Sequence, residues 1–433
     1  MNLHVSKLNK LGVMRVSTGI ISVLVFILSF RGLSSSGQIE KDSTPIFISG
    51  QEDVFTAEEI TVLRSLWIGS LPPLPIDPSN DVVDNPQAVQ FGKKLFSDTR
   101  FSANNKISCA TCHKAEVAFS DNKPLAEGIG TSTRRGMPII GMAYFKWFFW
   151  DGRADSLWSQ ALGPFENPAE HGITRCKVVL LVIKHYRQEY EEIFGPLPDL
   201  SAQNCPEKAT PLLDNPVSQK LWNDMKPEDR EAVNCVFSNI GKAIAAFERL
   251  ILPTPSRFDQ YVDALLKGDT EKIKTIMSEE EIEGMRLFVG KGNCIKCHSG
   301  PLFVDDDFHN LKVPGRLDKG RTEGIEKVLS DEFNCYGKYS DAEPEECIAL
   351  NAMVSDKEKY LDAFKTPTLR NVVERAPYMH SGQFKTIAKV LAFYQYPFDF
   401  DLMLEFGHST LYDKDLEKIE AFLYTLSSPL SFP

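Results

Sequence analysis

The sequence lacks any apolar run long enough to cross a bilayer as a helix, which takes roughly 18 or more residues. The nearest approach, from about Gly19 to Phe30, follows Lys7, Lys10 and Arg15 and precedes Ser34-Ser35-Ser36-Gly37. That order of basic, apolar and small residues reads as a secretory signal peptide over residues 1–36, so the expected location is the periplasm. Membrane attachment would need this segment to stay uncleaved as an N-terminal anchor. An excess of positive charge is also missing: 48 Lys and Arg stand against 59 Asp and Glu, a formal net charge of −11. So acidic a chain is a poor partner for nucleic acid, and loss of the basic leader would make it more acidic still. No stretch alternates apolar and polar residues as a half-buried strand would. The 433 residues are instead enough for two mainly α domains with long loops.

What is present is helix punctuation. Thr56 with Glu59 forms a capping box and opens a helix through Leu63 and Trp67, which the proline-rich stretch from Leu71 to Pro78 then stops. Asn85-Pro86 starts a second helix that carries Phe91 and Leu95. Val233, Val236, Ile240, Ile244 and Phe247 recur at steps of three and four, one apolar helix face. The polar segment from about Leu266 to Thr275 precedes another capping box, Ser278 with Glu281. A domain boundary is expected there, giving domains over 52–270 and 278–433. Leu416, Ile419, Leu423 and Leu426 mark a last helix. Gly92-Lys93-Lys94-Leu95-Phe96 and Gly284-Met285-Arg286-Leu287-Phe288 share a G-x-x-L-F pattern, so the chain reads as two diverged copies of one unit.

Each copy runs into Cys-x-x-Cys-His: Cys109, Cys112 and His113 in the first, Cys294, Cys297 and His298 in the second. Covalent haem attachment needs two thiols spaced for two vinyl groups and an imidazole placed to ligate iron, and this motif supplies all three. A four-thiolate zinc site would not need histidine after each pair, and thioredoxin-like redox pairs want a βαβ context that is missing. Two covalently bound c-type haems are therefore expected, in cytochrome c-like domains, with His113 and His298 as iron ligands. The other five cysteines, Cys176, Cys205, Cys235, Cys335 and Cys347, are odd in number, so at least one stays unpaired or pairs between chains. Cys335 and Cys347 are the first candidate pair, although sequence does not fix connectivity. What each haem does depends on its other face, because two axial ligands suit electron transfer and an open face can bind peroxide.

Three more stretches carry a resemblance: Phe149-Trp150-Asp151-Gly152-Arg153-Ala154, Gly163-Pro164-Phe165-Glu166-Asn167-Pro168-Ala169-Glu170, and Thr366-Pro367-Thr368-Leu369-Arg370-Asn371-Val372 followed by Ala376-Pro377-Tyr378-Met379-His380. With the two haem motifs they make the chain resemble the bacterial dihaem cytochrome c peroxidase and MauG family over nearly its whole mature length. The resemblance implies a peroxide-reacting first haem on His113 and an electron-transfer second haem on His298. It also implies Trp150 as a relay between them, with Gln160 and Glu170 lining the distal pocket of the first. In the peroxidase branch a histidine in the loop after the first motif caps the resting haem. Residues 114–133 here contain none, which predicts an open first haem that needs no reductive activation. In that branch the second haem's distal ligand is a methionine fourteen positions after the histidine of Pro-Tyr-x-His; counted from His380, the position is Tyr394, as in MauG-like proteins. The family's calcium site between the haems is poorly matched. Gly136 stands where an asparagine side chain is expected and Arg375 where a threonine carbonyl is, although Pro377 agrees.

Read without that context, a loop glutamate is a solvated charge, and Trp150 and Tyr394 are ordinary core residues. With it, Glu170 would take a proton from the near oxygen of hydrogen peroxide and deliver one to the leaving oxygen. Tyr394 as a phenolate would stabilise an oxidised second haem. Three functions follow. The missing cap and Tyr394 favour a MauG-like oxidase that draws electrons from a partner protein. A peroxide-detoxifying enzyme fed by a small cytochrome c or a copper protein is the alternative. A dihaem electron carrier is the third, and Glu170 would be pointless in it.

Overall fold

The local signals set where helices start. In a computed structural model, described for residues 55–211, 215–315, 318–395, 411–430 and 433, the Thr56–Glu59 capping box opens α1 (Ala57–Leu66). Asn85 caps α2 (Pro86–Ser97), with proline in the first turn where no N–H is needed. The first half continues with α3 (Leu157–Glu166), α4 (Arg175–His185), α5 (Arg187–Phe194), α6 (Pro216–Asp224) and the long α7 (Pro227–Glu248). Then come α8 (Arg257–Lys267), α9 (Thr270–Ile276) and α10 (Glu279–Val289), which leads into the second Cys-x-x-Cys-His. The second half closes with α11 (Arg321–Ser330), α12 (Ile387–Gln395) and α13 (Asp413–Tyr424). Among the described residues the one sheet pairs β1 (Phe308–His309) antiparallel with β2 (Phe364–Lys365). The fold is mainly α, and none of its described helices is long and apolar enough to cross a membrane. The predicted signal segment lies outside the described residues.

The polar run around 266–275, where the sequence suggests a domain boundary, forms α9. Asp269 accepts from the Lys272 N–H at its start, and Ile273 and Met277 turn inwards.

The G-x-x-L-F repeat has a packing cause. A Cβ on Gly92 would collide with the Ala243 carbonyl of α7, and one on Gly284 with the Lys418 carbonyl of α13. Glycine is what lets each haem-leading helix cross the closing helix of its half at backbone contact. One turn further on, Phe96 meets Phe247 and Phe288 meets Phe422, both with ring centroids 5.3 Å apart. The second apolar cluster also draws in Phe55, Leu63 and Leu66 around α1 and Phe258 and Tyr261 of α8. Arg370 staples them: its guanidinium is fully buried, pairs with both carboxylate oxygens of Asp259 and donates to the Leu66 carbonyl at 3.1 Å. Disulfides join Cys176 to Cys205 and Cys335 to Cys347, leaving Cys235 exposed and free.

Candidate haem sites

In both halves the motif folds into a single helical turn in which the histidine N–H donates to the first cysteine's carbonyl, at 2.9 Å each for His113 and His298. The chain then turns back so that a phenylalanine carbonyl meets the imidazole, Phe119 with His113 at 3.2 Å and Phe303 with His298 at 2.9 Å. A carbonyl only accepts, so Nδ1 carries the proton and Nε2 keeps its lone pair for a metal. Cys109, Cys112, Cys294 and Cys297 remain free thiols while four of the other five cysteines are oxidised. Both sets fit a covalently held haem.

In the second half a cavity of about 360 Å³ opens beside Cys294, Cys297 and His298, and Trp150, His380 and Tyr394 also line it. That volume lies within the ordinary range for a bound cofactor, roughly 300–1,000 Å³. Tyr394 keeps 37 % of its surface uncovered. Its hydroxyl is nevertheless enclosed enough that burial, reinforced by the nearby Cys297 and Cys294, raises it above the ordinary tyrosine range. His380 is less available as a ligand. It stacks on Phe364 at 3.8 Å, and its Nε2 meets the Gln383 amide at 3.2 Å. Cys297, Asp305 and His309 form a group of three possible metal donors among the described residues. Attachment of a haem would consume Cys297.

In the first half the sequence motif after α3 builds a carboxylate mount. Asn167 accepts from the Ala169 N–H at 3.0 Å and donates to Glu170 Oε1 at 2.6 Å. The segment after the first haem motif holds the other side: Ile129 and Gly130 donate to the Glu170 and Ala169 carbonyls at 2.8 and 3.1 Å. A Cβ on Gly128 would strike that Glu170 carbonyl, so the close approach needs glycine. Burial raises the Glu170 carboxyl, while Arg153 and the Asn167 hydrogen bond pull it down. Its charge is felt by both Cys109 and Cys112. Gln160 has a buried Oε1 without a hydrogen-bond partner, a vacancy that suits a bound oxygen ligand or water.

Two groups near this site escape sequence reasoning. His171 is 4 % exposed, donates from Nδ1 to the Phe101 carbonyl at 2.8 Å, and its Nε2 has no partner among the described residues. Burial lowers its pKa, and so does the neighbouring His113. His171 lies outside residues 114–133, where the family's capping imidazole is expected, although it adjoins Glu170 and is one of only eight histidines. Glu248 is 4 % exposed, and its Oε2 has no partner. Burial alone pushes its carboxyl to about 8, and its charge reaches Cys109. The apolar period of α7 ends at Phe247, so Glu248 reads in sequence as solvent-facing.

Trp150 sits in a tight turn that both halves repeat. Phe148 donates to the Ala154 carbonyl as Tyr378 does to that of Phe384. Phe149 and Met379 share positive φ, 65° and 67°, and Gly152 and Gly382 are both at 64°. Ser156 and Thr386 cap the following helices through Ser159 and Lys389. Upstream, Gly141 and Asn371 donate to Ile251 and Leu426, the carbonyls just beyond the closing helices. The register therefore runs without a gap from Gly141 to Pro164 and from Asn371 to Tyr394. In it Trp150 matches His380, Gln160 matches Val390, and Pro164 matches Tyr394. The Trp150 indole donates to the Arg135 carbonyl at 2.9 Å and is 7 % exposed, and its own carbonyl accepts from Lys365 at 2.8 Å.

The calcium expectation does not fit. Gly136 brings no donor and has open space at its Cβ position. Arg375 contributes a buried guanidinium that donates to the Asn371 and Thr368 carbonyls at 3.1 and 2.6 Å, using up nearby oxygens.

Residues 86–267 match the sequence profile of the di-haem cytochrome c peroxidase family. The chain is 29% identical over 313 residues to the methylamine utilization protein MauG of Methylorubrum extorquens, covering 71% of this chain and 69% of that one. It is likewise 29% identical over 351 residues to cytochrome c551 peroxidase of Pseudomonas aeruginosa, covering 79% of each. Among solved structures, the diheme peroxidase BthA of Burkholderia thailandensis has a TM-score of 0.57 at 20% identity, over 81% of this chain and 89% of that one. A MauG-like protein associated with microbial copper homeostasis has a TM-score of 0.55 at 22% identity, over 83% and 95%. These two likenesses establish the fold. Over most of its length the chain is thus similar to di-haem cytochrome c peroxidases and MauG proteins, which are haem oxidoreductases, and its first half carries their family profile.

Proposed function

We propose that the protein is an exported, MauG-like dihaem oxidoreductase that uses hydrogen peroxide at its first haem and draws electrons from a partner protein through its second. The observation that carries this reading is the shared register of the two halves. Where the second half offers Tyr394, the first offers Pro164, which has no side-chain donor. A haem held by His113 would then receive no ligand from this position, whereas one held by His298 could take the Tyr394 oxygen, the metal supplying the charge that favours loss of its proton. Bound haem would supply the redox centre, and the chain's own residues prepare its surroundings. Glu170, raised by burial, holds or releases a proton beside the open face, and Asn167 fixes its orientation. Gln160 presents an unsatisfied oxygen to an incoming peroxide or water. Trp150 lines the second cavity and would relay electrons towards the first site. A second haem held by both His298 and Tyr394 would be suited to electron transfer and storage.

The peroxide-scavenging reading is favoured by His171, a buried imidazole whose Nδ1 is held by the Phe101 carbonyl and which feels the charge of His113. An imidazole that capped the resting haem from there would make reaction depend on prior reduction. Peroxide added to the diferric protein separates the two: a long-lived oxidised state without any reductant supports the MauG-like reading, and no reaction until half-reduction overturns it.

A further inference from the structure

We propose that two buried guanidiniums, Arg135 and Arg375, stand at the junction between the two halves in place of a divalent cation, and that these fixed charges raise the potentials of the haems they adjoin. The inference rests on the two-haem reading and is independent of which electron donor the protein uses. Arg135 is 7 % and Arg375 5 % exposed, and neither forms an ion pair among the described residues. Arg135 donates to Ser120 Oγ at 3.1 Å, and its buried Nε has no partner. Ser120 follows Phe119, whose carbonyl orients His113, so Arg135 adjoins the first site. Arg375 adjoins the second, because it donates to the Asn371 and Thr368 carbonyls, next to Leu369 and Val372 of the cavity wall that also includes His298. The Arg135 backbone ties the halves together as well, donating to the His380 carbonyl at 2.9 Å while its own carbonyl takes the Trp150 indole.

Charge balance argues against a metal here. Burial, with a smaller contribution from the Arg135 charge, lowers the Arg375 guanidinium to about 9. Asp121 and Glu374 are the carboxylates whose charge reaches these arginines, and each has one buried oxygen without a partner. Two carboxylates already balance two guanidiniums. Among the protein's own side chains, a divalent ion added there would meet carboxylates that already face guanidiniums, and would stand against two fixed positive charges, which a low-dielectric site resists. Haem reduction adds an electron, so a nearby fixed cation favours the reduced form and raises the potential.

The test uses the purified dihaem protein. After dialysis against calcium and then buffer, elemental analysis should find no retained calcium, and a chelator should leave the thermal midpoint and both haem midpoint potentials unchanged. R375Q should lower the second haem's potential more than the first's, R135Q the reverse, and R375K should restore the wild-type value. One calcium per chain, a chelator-dependent shift, or an unchanged second potential in R375Q would overturn the proposal. If R375Q does not fold, R135Q and the chelator measurements decide. Absence of haem from the wild-type protein would instead break the two-haem reading, a separate failure.

Discussion

The two halves share a frame and differ in what hangs on it. Both cross a glycine-bearing helix over a closing helix, orient a histidine with a phenylalanine carbonyl, and make the same left-handed turn before a capped helix. At equivalent places the first half carries Gln160, Pro164 and Glu248, and the second Val390, Tyr394 and Leu423. Polar, proton-carrying groups gather in the first half. A ligand-capable side chain and an apolar wall occupy the second. The shared frame offers two equivalent mounts, and on the proposed reading a few substitutions at matched positions divide the labour between them.

The comparison can be broken experimentally. The largest effect is expected from Glu170→Gln, which keeps shape but removes the ionisable proton; peroxide consumption should fall by roughly 10²- to 10⁴-fold, the usual weight of a general acid–base group. An unchanged rate would mean that the first half's carboxylate is only structural. Glu248→Gln tests the second polar substitution through stability. Its carboxyl is held near 8 in the fold, well above an unfolded glutamate, so the folded state keeps the proton longer. Stability is then greatest below the unfolded pKa and falls as pH rises towards 8. The amide should abolish that slope and stabilise the protein at alkaline pH by up to about 4 kcal/mol, read from denaturant melts across pH. Gly284→Ala should cost about 1–3 kcal/mol through the clash with the Lys418 carbonyl, and Gly92→Ala a similar amount. Unequal losses would show that the two crossings are not equivalent. The smallest effect concerns pH. Asn167 lowers the Glu170 carboxyl, so Asn167→Ala should move the acid limb of the peroxide reaction to higher pH. A limb that stays in place would sever the link between this mount and the proton.

Much of this is legible in the sequence because it depends on local chemistry. Capping boxes at Thr56 and Ser278 and proline at Pro86 are short-range signals, and α1, α2 and α10 begin where they indicate. The Cys335–Cys347 pair, close in sequence, is joined as first expected, whereas Cys176–Cys205 needs the fold to bring it together. His171, Glu248 and Arg135 stayed hidden for the same physical reason. Their burial is decided by segments distant in sequence, and polar residues are read by default as solvent-facing. The matching of Pro164 with Tyr394 also needed the fold, since the two segments share hydrogen-bond geometry more than residue identity.

The most direct test of the division between halves is electron paramagnetic resonance of the diferric protein, for the wild type and for Tyr394→Phe. The account predicts one high-spin signal from an open first haem and one low-spin signal from a doubly ligated second haem, with the substitution converting only the low-spin signal. Two low-spin haems in the wild type, or a low-spin signal that survives Tyr394→Phe unchanged, would contradict it.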